Sequence, residues 1–455
     1  MKTKFATLSL AAAAASLPAM LVAQEVRPES VLDDDAAPVT ANAQGQNLNA
    51  PFAQRFGMVQ KWSVEDARGL LSAVQGIGVE GLDPADYRPG ALEQAIAFGE
   101  GEALDNLASE VFTWLVEDLR DGRTPMEARK QWFVVDPDPD LHPTGEVMSE
   151  ALASGDIAGT LRTLNPTYPD YAALKAKLAE TPVSDTAKRK LIRINMDRWR
   201  WLARDLGGQY LITNVPEYQL RLTVNNKIIQ TYRTVVGKPG RTATPQLAEM
   251  VEGVVFNPTW TVPQSIVKGE GLGAKVLNNP AWARKAGYKA TKGANGWVSV
   301  VQQPGPGNSL GLMKLDMPNR HAIFLHDTPS RHLFKNENRA LSHGCIRVED
   351  ALRVAMMVAM LGNGDTREEF AALGKEYTAI STSGKYTKVP VKKQMPVYIT
   401  YFTYGVDIDG DLHTFSDIYN RDAPVLAALD APRKGNRARE TDEEVIVIED
   451  DLQDS

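Results

Sequence analysis

Cysteine is almost absent from this sequence: Cys345 is the only one among 455 residues. A single cysteine excludes an internal disulfide, and it excludes a redox pair, which needs a second, resolving thiol. The zinc-binding segment HExxH is also absent, and one cysteine with six histidines gives no evident set of metal ligands. A zinc site built from the histidines near Asp327 stays open as the weaker alternative.

Clustered positive charge is absent as well. The formal net charge is -7, and no basic stripe is interleaved with aromatic residues, which argues against nucleic acid as a partner. Apolar residues make up 43% of the chain and charged residues 24%, as in soluble globular proteins. A chain of this length is expected to form two or three domains.

Long apolar runs are confined to the N-terminus. Residues 1–4 carry two lysines, and the apolar stretch that follows ends at the small residue Ala23, before a polar segment. This pattern predicts a cleaved signal peptide over residues 1–23, and therefore export of the protein. The run also approaches the roughly 20 residues of a spanning helix, so an uncleaved N-terminus that stays at the membrane is the alternative. Polar residues 24–50 are predicted to be a flexible linker.

The body of the chain changes its periodicity near residue 196. Over 51–195 apolar residues recur at three- and four-residue spacing, which predicts a helical scaffold domain. One predicted buried stripe consists of Leu107, Val111, Phe112, Trp114 and Leu115.

Over 196–430 the pattern alternates with a period of two, and it begins with MDRWRWLARDLGGQ, interpreted as a short link. QYLITN and YQLRLTV are predicted strands, and Asn225-Asn226 is a predicted hairpin turn before KIIQTYRTVVG. PQSIVKGEGLGAKVLNNPAWARKAG is more helical and lies between predicted strands, which predicts an insertion over one face. The charged residues 431–455 are predicted to be a solvated, disordered tail. The fold class is therefore α+β.

Cys345 lies in the segment LSHGCIRVED, a poor core segment because its neighbours are polar. A cysteine nucleophile needs a stabilised thiolate, a base and donors for an oxyanion. EDALRVAMMVAMLG predicts a helix with Glu349 and Asp350 in its first turn and Gly362 as its stop, so Cys345 would lie just before a helix N-terminus. Gly344 permits a backbone conformation closed to other residues. A cysteine buried inertly in the core is the alternative.

His326 is the best candidate for the base. It ends the apolar run AIFLH, 19 residues before Cys345, and is therefore predicted to stand at the end of a strand. His142 and His413 lie in polar loops and are interpreted as surface residues, while His332 is interpreted as a mobile loop residue.

His326, its spacer, and Ser342-His343-Gly344-Cys345 followed by Ile346-Arg347 resemble the signature of L,D-transpeptidases with a YkuD-type catalytic domain. NMDRWRWL, VVGKPGR, VVFNPTWTVP and QPGPGNSLG are similar to the long periplasmic members of the YcbB type. The resemblance spans roughly 195–430. It implies a β-rich catalytic domain that follows the helical scaffold, with its core at about 209–372 and a helical capping insertion at about 264–316 that closes over the substrate.

The resemblance also implies an activity. Cys345 would attack the third residue of a peptidoglycan tetrapeptide stem and release D-alanine, with His326 as proton acceptor and donor. The amine of a neighbouring stem would then resolve the thioester, forming a 3→3 cross-link in the periplasm, with a role in cell-wall organisation and cell shape. No metal and no cofactor is needed, and carbapenems are the expected inhibitors.

Further residues carry over from the resemblance. His343 would orient the cleft, and its backbone with that of Gly344 and Cys345 would bind the oxyanion. Ser342 would bond within the turn. Arg347 would pair with a substrate carboxylate or, alternatively, with a neighbouring acidic residue, and Trp260 would line the peptide groove or belong to the core.

The sequence departs from the long members in one respect: it leaves no room for a peptidoglycan-binding module between the scaffold and the catalytic domain. The source of affinity for the cell wall is therefore open. Two alternatives to transfer remain, an L,D-carboxypeptidase or a hydrolase that cleaves peptidoglycan-attached protein. A non-catalytic cell-wall-binding protein is the alternative from another class.

Overall fold

The computed structural model describes residues 59–269, 271–294, 296–435 and 441–445. The predicted signal peptide at 1–23 and the predicted linker at 24–50 lie outside these residues. Within them, no helix combines the length and the apolar character needed to cross a membrane.

The first part of the described chain is helical. Its helices are α1 Val64–Gly76, α2 Pro89–Phe98, α3 Glu102–Arg120, α4 Asp138–Leu141, α5 Thr144–Ser154, α6 Ile157–Arg162, α7 Pro169–Glu180 and α8 Thr186–Trp199, with 3₁₀ turns at Ile77–Glu80, Pro84–Tyr87 and Met126–Ala128. Ser63 begins α1 as its N-cap, because its side chain accepts a hydrogen bond from the Asp66 amide. The apolar faces of α1 to α3, α5 and α6 share one core.

The predicted apolar stripe lies on α3. Val111, Phe112 and Leu115 have no exposed surface, Trp114 is buried, and Leu107 is half-buried. This helix is therefore the centre of the helical core, as its periodicity predicted.

The predicted link at residue 196 is wrong in its first part, because α8 continues to Trp199. Asp185 caps its start by accepting from the Lys188 amide, and Trp199 stacks on Phe402 with ring centroids 4.5 Å apart. The helix is rich in the strong helix formers Arg, Lys, Leu and Met, and burial of Arg198 and Trp199 extends it past the predicted boundary.

In the described residues, nine strands form one sheet. These strands are β1 Gln209–Asn214, β2 Gln219–Val224, β3 Lys227–Gly237, β4 Leu247–Phe256, β8 Met313–Asp316, β9 Leu325–His326, β10 Ala340–Ser342, β11 Ile346–Val348 and β12 Thr387–Thr400. Their order across the sheet is β10-β3-β11-β9-β8-β4-β12-β1-β2. Asn225 and Asn226, at φ 47° and 59°, make the predicted hairpin turn. Two further strands, β13 Tyr404–Val406 and β14 Leu412–Thr414, pair with each other.

The capping insertion has its own small core. Strands β5 Trp260–Thr261, β6 Tyr288–Lys292 and β7 Val298–Gln302 pair in the order β5-β7-β6, and they accompany a π-helical turn at Ser265–Gly269 and helices α9 Leu272–Asn278 and α10 Pro280–Lys285. The insertion is therefore part helix and part sheet, where the sequence predicted mainly helix.

Three helices complete the fold: α11 Ala351–Asn363, α12 Arg367–Thr382 and α13 Asp422–Asp430. The sequence predicted that α11 stops at Gly362, but the helix continues to Asn363. Gly362 lies inside the helix, where an added Cβ would fall 2.2 Å from Val391 Cγ1, so it permits close packing on β12. The observed helices and sheet confirm the α+β class.

The predicted solvated tail is wrong at Arg433, although its neighbours Pro432 and Lys434 are exposed. The Arg433 guanidinium is buried, 2.9 Å from Asp118 and 2.7 Å from Glu117, and it lies over the Trp114 ring. A carboxylate with no exposed surface, as in Asp118, needs a charged partner, and Arg433 provides it from the far end of the chain.

Candidate active site

Two neighbouring strands bring the signature residues together. β9 and β11 pair in parallel with Arg347 opposite His326, and the Ile346 amide donates to the Phe324 carbonyl at 3.1 Å. Residues two apart along a strand point to the same face of a sheet. Cys345, two residues before Arg347, is therefore directed to the face that carries His326, so that a sequence separation of 19 residues becomes one step between strands.

The tautomer of His326 follows from its hydrogen bond. Nδ1 contacts the backbone carbonyl of Asp327 at 2.5 Å. Because a carbonyl oxygen can only accept, Nδ1 carries the proton and Nε2 is the basic nitrogen. The histidine is thus in the form that a general base requires.

The charge state of His326 is set by its surroundings. Burial, the Arg347 guanidinium and the Lys314 ammonium lower the pKa of His326 to about 3, against the opposing effect of the bond to Asp327. Lys314 lies directly across from His326 on β8. The imidazole is therefore neutral at pH 7. Sequence reasoning missed Lys314, since a lysine in a strand gives no functional signal.

The turn that carries Cys345 is built around Gly344 and Ser342. Gly344 has φ 121°, a conformation that favours glycine. Ser342 Oγ donates to the Cys345 carbonyl at 2.6 Å and accepts from the Gly344 amide at 3.2 Å. Ser342 thus bonds within the turn, as expected, while the Gly344 amide is engaged there and is not directed at an oxyanion.

The prediction that Cys345 lies just before a helix N-terminus is wrong. Strand β11 follows it, and α11 begins only at Ala351, with Asp350 at φ 52° as its N-cap. Glu349 also lies before the helix and binds Arg233 through both carboxylate oxygens, at 2.6 and 2.7 Å. A strand of three residues is too short to show a period in the sequence. The helical pattern that follows was therefore the only local signal, and it placed the helix directly after Cys345. Amides of α11 therefore do not adjoin the sulfur.

Cys345 is fully buried, beside hydrophobic residues of the sheet. Its thiol donates to the Ala322 carbonyl at 3.6 Å. Ala322 has φ 55°, a costly conformation for a residue with a Cβ, and Asn319 holds it by accepting from the Ile323 amide and donating to the Ile323 carbonyl. His326 is equally buried. Strand pairing directs Cys345 and His326 to one face of the sheet, but this conformation closes both to solvent.

The remaining candidates occupy different surroundings. Arg347 is buried opposite His326, and His343 is half-buried. Trp260 is buried in the core of the capping insertion with Val262 and Val300, which favours the core interpretation over the groove. No group of three His, Cys, Asp or Glu residues that can hold a metal occurs in the described part of the chain.

A cavity of about 380 Å³ lies between the helical region and strands β1 and β2, lined by Trp199, Tyr210, Arg221 and Phe402 among others. Neither Cys345 nor His326 lines it. This cavity is therefore not the site of the cysteine chemistry.

Comparison with known proteins gives the same division of the chain. Residues 208–399 match the family model described as the L,D-transpeptidase catalytic domain (YkuD), and residues 59–178 match the model described as a Scaffold domain. A Haemophilus influenzae protein named "Putative L,D-transpeptidase" is 30% identical over 234 residues, which is 48% of this chain and 45% of that protein. The chain thus spans less than half the length of this relative.

Two solved structures are also similar. One is titled "Structure of the Ldtfm-avibactam carbamoyl enzyme", with 13% identity and a TM-score of 0.19 over 42% of this chain and 49% of that one. The other is an L,D-transpeptidase from Mycobacterium smegmatis, with 11% identity and a TM-score of 0.20 over 42% of this chain and 58% of that one.

The fold is a two-part α+β structure that places a cysteine and a neutral histidine at neighbouring strands. The Scaffold-domain match over residues 59–178 falls on its helical region, and the YkuD-type L,D-transpeptidase catalytic-domain match over residues 208–399 falls on its sheet.

Proposed function

We propose that this protein is an exported peptidoglycan L,D-transpeptidase that forms 3→3 cross-links in the periplasm. The observation that carries the proposal is the parallel pairing of β9 with β11, which aligns His326 with the face that holds Cys345 inside the matched catalytic domain. Nucleophilic catalysis requires a base within reach of the thiol proton, and the pairing of these neighbouring strands supports that placement.

The first half-reaction is acylation. Cys345 Sγ attacks the carbonyl carbon of the third stem residue while its proton passes to His326 Nε2. When the tetrahedral intermediate collapses, the C–N bond to the terminal D-alanine breaks and the imidazolium returns the proton to the departing amine. A thioester to Cys345 remains, and D-alanine leaves.

The second half-reaction transfers the acyl group. The side-chain amine of a neighbouring stem attacks the thioester, and His326 takes a proton from that amine. The C–S bond breaks, and the proton restores the Cys345 thiol. One amide is lost and one is formed, so the reaction needs no nucleotide.

The cations beside His326 support a peptide substrate that carries carboxylates. Lys314 and Arg347 lie on the two strands that flank β9, and arginine binds carboxylates through paired, parallel hydrogen bonds. Recognition of a stem carboxylate at this end of the sheet follows from that charge, and the same cations suit the carboxylate of a carbapenem.

Substrate reaches the sulfur only after the structure opens, because Cys345 and His326 are fully buried. This burial also favours a second candidate function, a cell-wall-binding protein in which the cysteine does not react. The two are separated by whether a carbapenem adds its mass to Cys345.

The deciding experiment incubates the purified protein with a disaccharide-tetrapeptide and follows the products by mass spectrometry. A dimer that has lost one D-alanine is the expected result. Tripeptide alone would indicate an L,D-carboxypeptidase, with water as the acceptor. Unchanged tetrapeptide, together with an unmodified Cys345 after carbapenem treatment, would refute the proposal and favour the binding protein.

A further inference from the structure

One buried hydroxyl connects the turn that carries Cys345 to the end of β3. Thr244, which precedes β4, has no exposed surface. Its Oγ1 accepts from the Gly237 amide at 2.9 Å and donates to the Gly344 carbonyl at 2.8 Å. Gly344 directly precedes Cys345, so this hydroxyl acts on the backbone that sets the direction of the sulfur.

The turn lies against β3 without a side chain between them. A Cβ added to Gly237 would fall 3.1 Å from Gly344 Cα and 2.0 Å from the Thr242 carbonyl oxygen. The Lys238 amide donates to the Ser342 carbonyl at 2.8 Å. Backbone therefore packs directly on backbone at this point, and the buried Thr244 hydroxyl is a direct bridge between the two segments.

A residue beyond the matched catalytic domain supports Thr244 from behind. Tyr419 lies past residue 399, where the family match ends. Its hydroxyl donates to the Gly237 carbonyl at 2.6 Å and accepts from the Thr244 amide at 3.2 Å. Arg421 continues the support, because its Nη2 donates both to the Thr244 carbonyl and to Gln131 of the helical region.

We propose that Thr244 is a positioning residue for the Cys345 nucleophile and that Tyr419 holds Thr244 in place. The Thr244 hydroxyl fixes the Gly344 carbonyl, the fixed peptide orients the cysteine, and Tyr419 links that geometry to the C-terminal segment. This proposal deepens the transpeptidase assignment and rests on it for its catalytic readout.

The test compares Thr244→Val, which keeps the shape and removes the hydroxyl, with Thr244→Ser, which keeps the hydroxyl. Thr400→Val is the matched control, because Thr400 is also buried and its hydroxyl donates to the Thr213 carbonyl, between β12 and β1 and away from the turn of Cys345. Tyr419→Phe is matched by Tyr398→Phe, whose hydroxyl donates to the Leu206 carbonyl.

For each variant the measurements are the melting temperature and the carbapenem acylation of Cys345, resolved into a limiting rate and a half-saturating concentration. Thr244→Val is expected to lower the limiting rate about 100-fold, as misplacement by about 1 Å does, with a much smaller change in half-saturation. Thr244→Ser is expected to restore most of the rate, and Tyr419→Phe to lower it by about 10-fold. Thr400→Val and Tyr398→Phe are expected to keep it.

Equal rates in Thr244→Val and Thr400→Val, or no rescue by Thr244→Ser, would overturn the proposal. Hydrogen exchange of residues 341–348 gives a readout that does not depend on catalysis, and only Thr244→Val and Tyr419→Phe are expected to accelerate it. An unreactive wild type with this selective acceleration would refute the transpeptidase assignment and leave the structural link standing. A reactive wild type without faster exchange in either variant would refute the structural link and leave the transpeptidase assignment standing.

Discussion

Buried charges in the helical region and those around His326 have different surroundings. In the helical region, a guanidinium nitrogen of Arg433 lies 2.9 Å from an Asp118 carboxylate oxygen. A guanidinium nitrogen of Arg200 lies 3.7 Å from an Asp197 carboxylate oxygen. Opposite charges at such distances offset the cost of removing each from water. The Arg433 contact joins segments that are far apart in the sequence, whereas Arg200 and Asp197 are neighbours on one stretch of the chain.

Around His326 the charges that act on the ring have the same sign. Arg347 and Lys314 both oppose protonation of a ring that burial already keeps neutral. Cations there therefore help to hold an imidazole neutral, whereas cations at the helical core neutralise carboxylates. Buried charge forms ion pairs in one region and, in the other, disfavours protonation of the ring that the proposed function uses as its base.

Removing the Cys345 sulfur is expected to have the largest effect on acylation. Cys345→Ser is expected to lower carbapenem acylation and D-alanine release at least about 1,000-fold, because the hydroxyl is a far weaker nucleophile than the thiol. The melting temperature is expected to change by only a few degrees, since serine nearly preserves the side-chain shape. Intact-mass spectrometry and thermal unfolding measure the two quantities. Retained acylation in the variant would place the reaction at another residue.

Removing Arg433 tests whether buried ion pairs stabilise the helical region. Arg433→Met removes the cation that lies nearer to buried Asp118, whose contacts with Tyr87 at 2.8 Å and with the more distant Arg123 at 3.8 Å remain. The free energy of unfolding is expected to fall by about 3 kcal/mol, the lower end for a broken buried pair. Chemical denaturation measures it, and the acylation rate per folded molecule is expected to stay unchanged.

The neighbouring Lys434 supplies the control for that experiment. Its ion pair with Glu127 is exposed on both sides, so Lys434→Met is expected to cost less than about 1 kcal/mol. Similar losses in the two variants would show that burial of Arg433 does not determine its contribution.

The alternating strands and the signature were predictable because each has a local pattern. QYLITN and KIIQTYRTVVG coincide with β1 and β3, since alternation and the Asn225-Asn226 turn fix their register. The likeness of His326 and Cys345 to a known signature indicated the pair. Three-residue strands such as β11 show no period, and their identification needs the neighbouring strands.

Two other parts of the structure had weak or no local signals. Helix α12 is polar over most of its surface, and its capping box at Thr366 and Glu369 was the available sequence signal. Thr244 and Tyr419 act on each other across 175 residues, and nothing near either residue in the sequence indicates that contact. Support of this kind appears only when the sheet assembles.

The pH dependence of acylation sharpens the comparison at His326. A base acts in its neutral form, which is populated above its pKa. With the pKa lowered to about 3, the base is expected to stay active from pH 8 down to pH 5, and the limiting rate to stay nearly constant. A histidine with the ordinary pKa of about 6.5 would lose about 30-fold over this range. Stopped-flow acylation measures the profile, and an acid limb near pH 6.5 would contradict the burial of the ring in the reacting state.

Lys314 gives the smallest expected effect. Removing its charge in Lys314→Met raises the pKa of His326, because a cation that opposed protonation is gone. Burial and Arg347 remain, so the pKa stays below its ordinary value. The acid limb of the acylation profile is therefore expected to move to higher pH than in the wild type, with little change in the rate at pH 8. Lys388→Met is the matched control, because Lys388 is exposed and paired with Asp316. Equal profiles for the two variants would show that charge on β8 does not tune the base.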